Sequence, residues 1–203
     1  MGLGLSARHA KRLARRTTPQ EIQDLVNDLD VNREKDGDTC LSVASTLSAG
    51  HAHCIEGAFV AAAALWMTGR PPLLMDLEAD GDDDHVVAVF KSRGCWGAIS
   101  KSNHIWLRWR DPVYRSLREL AMSYFHEYVR DGIKKTLRTY SVPFDLRRVP
   151  AARWITAADS CWDVSEALCT IRHYRLLTPS QIRELKDRDP FEVEAGTLVQ
   201  RKV

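Results

Sequence analysis

The chain of 203 residues has almost no excess of either charge: 29 Lys and Arg face 27 Asp and Glu, a formal net charge of +2. A dedicated nucleic-acid-binding domain usually carries a clear basic excess, so that class is disfavoured. Long apolar runs are missing too. In the Ala-rich segment the uncharged stretch covers only residues 57–69, and a bilayer needs about 20. No apolar run follows the basic N-terminal residues, so no secretory signal is expected. Cysteine is sparse, odd in number and widely spaced: Cys40, Cys54, Cys95, Cys161 and Cys169. Without an export signal this is no disulfide framework, and reduced thiols in the cytoplasm are the expectation. There is no internal repeat and no low-complexity linker.

The composition that remains is globular, with 44% hydrophobic and 28% charged residues, enough to bury one core. Charge is unevenly placed. Arg8, Lys11, Arg12, Arg15 and Arg16 stand near the N-terminus without an acid, and Asp76, Glu78, Asp80, Asp82, Asp83 and Asp84 follow one another without a base. An amphipathic helix is expected over 6–16. A second starts at a readable capping box, with Thr18 as N-cap, Pro19 in the first helical position and Glu21 three residues after the cap. It carries Ile22, Leu25, Val26 and Leu29 on one face and ends near Asp30. A polar loop over 32–38, a helix over 39–48 and a break at Gly50 follow.

The Ala-rich pattern over 54–68 predicts a buried helix, closed by Gly69 with Pro71 and Pro72 beyond. Strands are predicted over 73–77, 85–90 and 96–100, with an acidic loop over 78–84 and a hairpin turn at Ser92-Arg93-Gly94. Residues 104–110 alternate as a further strand would. Pro112 is expected to open a long helix reaching Val129, with further helices over 157–176 and 179–187. Helices, then a small antiparallel sheet, then helices again make an α+β chain.

A nucleophilic cysteine needs a lowered pKa and a base within reach. Cys54 opens a predicted helix, where unpaired backbone N–H groups favour a thiolate and can hold an oxyanion. His53 is adjacent, but neighbouring side chains on a helix diverge, which makes it a poor base. His85 begins an apolar strand after a polar loop and is the better one. The competing reading is a buried thiol and a strand-end imidazole without chemistry.

The order of these pieces resembles the transglutaminase-like branch of the papain-like cysteine enzymes over residues 39–145. The segments that carry the resemblance are Cys54-Ile55-Glu56-Gly57, Gly69-Arg70-Pro71-Pro72, His85-Val86-Val87-Ala88-Val89-Phe90 and Trp96-Gly97-Ala98-Ile99-Ser100. The stretches HCIEGAFVAAAAL, GAISKSNH and RDPVYRSLRELAMSYFHEY resemble an uncharacterised bacterial group of that superfamily. The resemblance implies Cys54 as nucleophile and His85 as base. Ser100 falls where the family has its orienting Asp, and a hydroxyl cannot stabilise an imidazolium as a carboxylate does. Asn103 is the other candidate for that role.

Other signals are weaker. Asp76, Glu78, Asp80 and Gly81 imitate the start of an EF-hand loop, but its twelfth position is Val87 and its flanks read as strands. Cys40, His51, His53 and Cys54 match no common structural zinc spacing. Cys161 and Cys169 read as one buried helix face. Trp106, Arg108, Trp109, Arg110, Tyr114, Arg115 and Arg118 interleave aromatics with arginines, which fits nucleic-acid contact or a solvated basic face. Met1-Gly2 with Ser6 has the form of a myristoylation signal before a basic patch, or of an exposed basic helix.

The sequence thus predicts basic and amphipathic helices over 1–38, a transglutaminase-like core over 39–150 and a helical extension over 151–203. Thiol-dependent acyl transfer or amide hydrolysis on a peptide or protein amide is expected, without metal or organic cofactor. The alternatives are a catalytically dead domain of the same fold that binds a protein or peptide, and a nucleic-acid-contacting module.

Overall fold

The computed structural model describes residues 3–34 and 37–196. Met1 and Gly2 of the acylation-like motif, and Lys35 and Asp36 of the polar loop, lie outside them. The fold is α+β, with a mostly antiparallel sheet. Its helices are α1 (Ala7–Ala14), α2 (Pro19–Asn27), α3 (Val43–Ala49), α4 (Cys54–Met67), α5 (Leu117–Met122), α6 (Ala151–Trp154), α7 (Trp162–Thr170), α8 (Pro179–Arg183) and α9 (Pro190–Gly196). The main sheet holds β1 (Leu73–Ala79), β2 (His85–Ser92), β3 (Cys95–Ile99), β4 (Arg110–Tyr114), β5 (Leu137–Ser141), β6 (Phe144–Asp145) and β7 (His173–Arg175). Its order is β7-β5-β1-β2-β3-β4, with β6 also on β1, and every pairing is antiparallel.

α4 runs through the middle of one core. Residues 55–65 are all buried, which suits a helix that is apolar all round instead of striped. Its alanines at 58 and 61–64 let α1, α2 and α3 pack close on one side while β2 lies on the other. Alternation along the strands then divides the sheet. Leu74, Val86, Ala88 and Ile99 face the α4 side, whereas Met75, Leu77, Val87, Val89 and Ala98 face a second core with Leu120, Ala121, Tyr124, Phe125 and Tyr128. Burying each large apolar side chain is worth about 1.5–3 kcal/mol. Among the described residues no helix is long and apolar enough to cross a membrane.

Local chemistry explains the boundaries. Thr18 and Glu21 form the capping box that opens α2, and Gly50 closes α3 in the left-handed conformation. Arg93 and Gly94 both have positive φ, as the two-residue turn between β2 and β3 requires. Gly57, in the first turn of α4, meets the chain after β3 so closely that a Cβ there would lie 2.5 Å from Lys101 Cβ.

Three expectations are corrected. The strand expected over 104–110 starts only at Arg110; before it lies a turn, the 3₁₀ segment Ile105–Leu107, begun by Ser102 Oγ accepting from the His104 N–H at 3.0 Å. Pro112 opens no helix: it lies in β4, the edge strand, where a missing N–H is tolerated. The helix starts only at Leu117, capped by Ser116 accepting from the Glu119 N–H, and ends at Met122. Lastly, the helix expected over 157–176 is shorter. α7 stops at Thr170, and residues 173–175 become β7, paired with β5.

Candidate active site

Cys54 is the first residue of α4, and His53 before it is the N-cap, in extended conformation (φ −99°, ψ −167°). That backbone turn overturns the expectation that His53 points away from Cys54. The argument from helical divergence does not apply to a residue outside the helix. The His53 ring folds back so that Nδ1 lies 4.0 Å from Cys54 Sγ, while Nε2–H donates to the Thr39 carbonyl at 2.6 Å. The His85 ring stands near enough to Cys54 to act on its ionisation as well, and Cys54 Sγ lies 3.9 Å from the Asp84 carbonyl. One thiol therefore meets two imidazoles.

The electrostatics follow. Burial alone would push the Cys54 thiol up, but the two nearby imidazoles, His53 and His85, outweigh it and bring it down to about 6. For His53 burial opposes the charged form. The bond to Cys54, its negative charge, the Glu56 carboxylate and the Thr39 carbonyl overcome that and raise it to about 9. Both shifts favour the thiolate and imidazolium form of the pair.

Glu56 holds this arrangement from beneath. Its side chain is fully buried and accepts from the His53 N–H at 3.0 Å, Thr39 Oγ1 at 2.7 Å, the Leu41 N–H at 3.0 Å and Asn32 Nδ2 at 3.2 Å. His53 Nε2 stands 3.6 Å from Glu56 Oε1 and 3.4 Å from Glu34 Oε1. The carboxylate caps the helix and ties the loop after α2 to it. An acid at the third helical position after His53 is the capping pattern that would have marked His53 as the N-cap.

His85, first residue of β2, is 5% exposed. Its ring lies edge-on to Tyr124 and Tyr128, with centroids 6.2 and 6.5 Å away. Nε2–H donates to the Leu107 carbonyl at 3.1 Å. Ser100, at the end of β3, donates its Oγ to that same oxygen at 2.7 Å. Ser100 is itself clamped, its N–H donating to Gln23 Oε1 and its carbonyl accepting from Gln23 Nε2, both at 3.0 Å. The group facing Nε2 is thus a backbone carbonyl, with Ser100 beside it. Asn103 lines the same cavity without joining these bonds, and its Oδ1 is buried with no hydrogen-bond partner among the described residues.

The cavity, of about 540 Å³, is lined by His53, Cys54, His85, Asn103, Leu107 and Tyr128 around the thiol. Asp82, Asp83, Asp84, Glu127 and Asp131 add negative charge to its wall, against Lys101 and Arg188. Tyr128 Oη donates to the Asp83 carbonyl and pins the acidic loop over the cleft. The remaining sequence candidates lie elsewhere. Asp76 and Glu78 are strand residues of β1, so no EF-hand loop forms. Cys40 is buried beside Cys161, whose N–H donates to the Cys40 carbonyl at 2.7 Å. Cys169, expected on a buried face with Cys161, is exposed, and all five cysteines are free thiols. In the Trp/Arg stretch Arg110 packs on the Tyr124 ring at 3.9 Å and donates to the Trp106, Trp109 and Ser123 carbonyls. Arg108 and Arg118 donate to the Ser102 and Leu176 carbonyls. These arginines are committed within the fold.

No family model matches the chain, and no curated protein matches it significantly.

Proposed function

We propose that this chain is a cysteine acyl-transfer enzyme of papain-like, transglutaminase-like architecture, acting on a peptide or protein amide. The observation that carries the reading is a thiol on the first residue of a helix, 4.0 Å from the His53 ring and sharing with it and His85 the wall of a cavity of about 540 Å³. Support for the architecture comes from the Cys-led helix packed on an antiparallel sheet whose second strand begins with the partner histidine.

In this reading the Cys54 thiolate attacks the amide carbonyl carbon. The developing oxyanion is held by backbone N–H groups of the first turn of α4, which have no intrahelical acceptor. As the C–N bond breaks, the His85 imidazolium gives its proton to the leaving amine and a thioester forms on Cys54. Water or an amine then attacks the thioester, loses a proton to His85 and releases the thiolate. His53 stays protonated and steadies the thiolate between cycles. Glu56 thereby supplies to His53 the carboxylate that His85 lacks. Asn103 offers an unpaired amide to the substrate backbone, and the acidic wall favours a cationic side chain near the scissile bond.

The test is a direct search for the acyl-enzyme. Incubation with p-nitrophenyl acetate is expected to release a burst of about one equivalent of nitrophenol, with an acetyl group mapped to Cys54 by peptide mass spectrometry. Absence of both burst and adduct in the folded protein overturns the reading.

A further inference from the structure

Away from the thiol, three side chains converge on the α4-facing side of the sheet. Asp76 and Glu78 belong to β1, and His173 belongs to β7, two strands over across β5. The residue between them is small: Ser141, paired with His173, is fully buried, and its Oγ accepts from the Asp76 N–H at 2.9 Å. His173 therefore reaches over the sheet to the acids. Its Nε2 lies 3.3 Å from Asp76 Oδ2 and 3.8 Å from Glu78 Oε1. One donor atom from each of the three residues falls within 4.8 Å of the other two.

Two features set this cluster apart from a surface ion pair. First, Asp76 is 1% exposed, and its second oxygen, Oδ1, is buried with no hydrogen-bond partner among the described residues. A buried carboxylate oxygen left unpaired is costly. Second, the His173 ring is committed at its other nitrogen, since Nδ1–H donates to the Ile171 carbonyl at 2.8 Å. That bond is the usual means of orienting a metal-ligating imidazole so that Nε2 presents its lone pair. Here Nε2 faces two carboxylate oxygens, a contact that a bound cation, a second ring proton or a proton on one carboxyl would reconcile. Glu78 is prepared in the same way: Oε2 accepts from Thr139 Oγ1, leaving Oε1 on the side of the imidazole.

The geometry points to a divalent transition-metal site formed by Asp76, Glu78 and His173. Two carboxylates with one imidazole suit zinc or manganese better than calcium, which takes oxygen ligands alone. Ligands of a tetrahedral zinc with bonds of ~2.0–2.1 Å stand about 3.4 Å apart, so side-chain adjustments of about an ångström close the shell, with water completing it. The ion would brace β1 to β7 and so fasten the segment after α7 to the strand beside His85. This site is independent of the acyl-transfer reading.

The test uses untagged full-length protein carrying Cys54→Ser, so that the thiol and its two imidazoles do not compete for the metal. Zinc is added after chelator treatment, bound metal is counted by equilibrium dialysis, and unfolding is followed by heating. The expected result is one equivalent of zinc per chain, with an unfolding midpoint raised by about 5 °C or more at a hundredfold excess over Kd. His173→Gln and the half-buried Glu78→Gln are each expected to weaken binding at least about tenfold. Their circular dichroism before metal addition shows that they fold. Zinc binding unchanged by both folded variants, as stray coordination by other thiols would give, overturns the proposal. No zinc binding at all does so equally and leaves the cluster to protons alone.

Discussion

His85 Nε2 and Ser100 Oγ donate to one oxygen, the Leu107 carbonyl, at 3.1 and 2.7 Å. The imidazole is thus oriented by a backbone dipole, and the hydroxyl shares its acceptor. An acceptor without full charge fixes the ring and its tautomer but stabilises an imidazolium less than a carboxylate does. Ser100→Ala is therefore expected to cost about 1 kcal/mol of stability for the lost buried hydrogen bond, measured by urea unfolding. It should leave the low-pH reactivity of Cys54 within about threefold, because the carbonyl still holds His85. A collapse of that reactivity would make the hydroxyl itself the orienting group.

Glu56→Gln tests the support under His53. The carboxylate accepts from four donors in a fully buried place, and an amide turns one of those acceptors into a donor. The expected loss is about 2–4 kcal/mol, read as a lower urea midpoint. Because the His53 imidazolium also loses its anionic neighbour, the alkylation midpoint of Cys54 should rise in whatever fraction stays folded.

The thiolate and imidazolium pair makes a specific statement about stability and pH. Cys54 is depressed to about 6 in the folded protein from the ~8.5 of a free thiol, so its contribution is complete above the unfolded value and disappears as pH falls through 6. His53 is raised to about 9 from the ~6.5 of a free imidazole, so its contribution is complete below 6.5 and disappears as pH rises through 9. Between about pH 6.5 and 8.5 folded and unfolded chains bind equal numbers of protons at these two sites. The stability difference between native protein and the double variant Cys54→Ala/His53→Gln should be flat across that window and fall on both sides. A monotonic slope through it, from urea unfolding at several pH values, would contradict the pairing.

Gly57→Ala would improve intrinsic helix propensity by about 1 kcal/mol. The new Cβ, however, would sit 2.5 Å from Lys101 Cβ, an atom next to the backbone that cannot swing aside. Overpacking of this kind typically costs 1–3 kcal/mol. The expected outcome is a protein less stable by up to about 2 kcal/mol in urea, with α4 displaced at the end that carries Cys54.

What was legible in the sequence depended on side-chain signatures. Thr18 and Glu21 announced α2, Arg93-Gly94 the hairpin, and the apolar runs behind Cys54 and His85 the helix and strand that bear them. The Leu107 carbonyl could not be seen, because a backbone acceptor has no residue type. It comes from a 3₁₀ turn inside a stretch whose alternation reads as a strand. Pro112 misled because first helical turns and edge strands both tolerate a missing N–H. His53 misled although the helix is rightly placed to begin at Cys54, because the divergence of neighbours holds only inside a helix. As first helical residue it would diverge from Cys54, whereas as N-cap its extended backbone turns the ring onto the sulfur. His173 lay in a segment read as helix, so its meeting with Asp76 across β5 had no local signal.

The central claim is that two imidazoles hold Cys54 as a thiolate at neutral pH. The most direct measurement is the rate of iodoacetamide alkylation at each cysteine from pH 5 to 9, mapped by peptide mass spectrometry. It is made on the native protein, His85→Ala and His53→Gln. Cys54 is predicted to react fastest, with a midpoint near 6, and each substitution is predicted to move that midpoint upward toward ~8.5. A native Cys54 that reacts no faster than Cys95, or only above pH 8, would contradict the account.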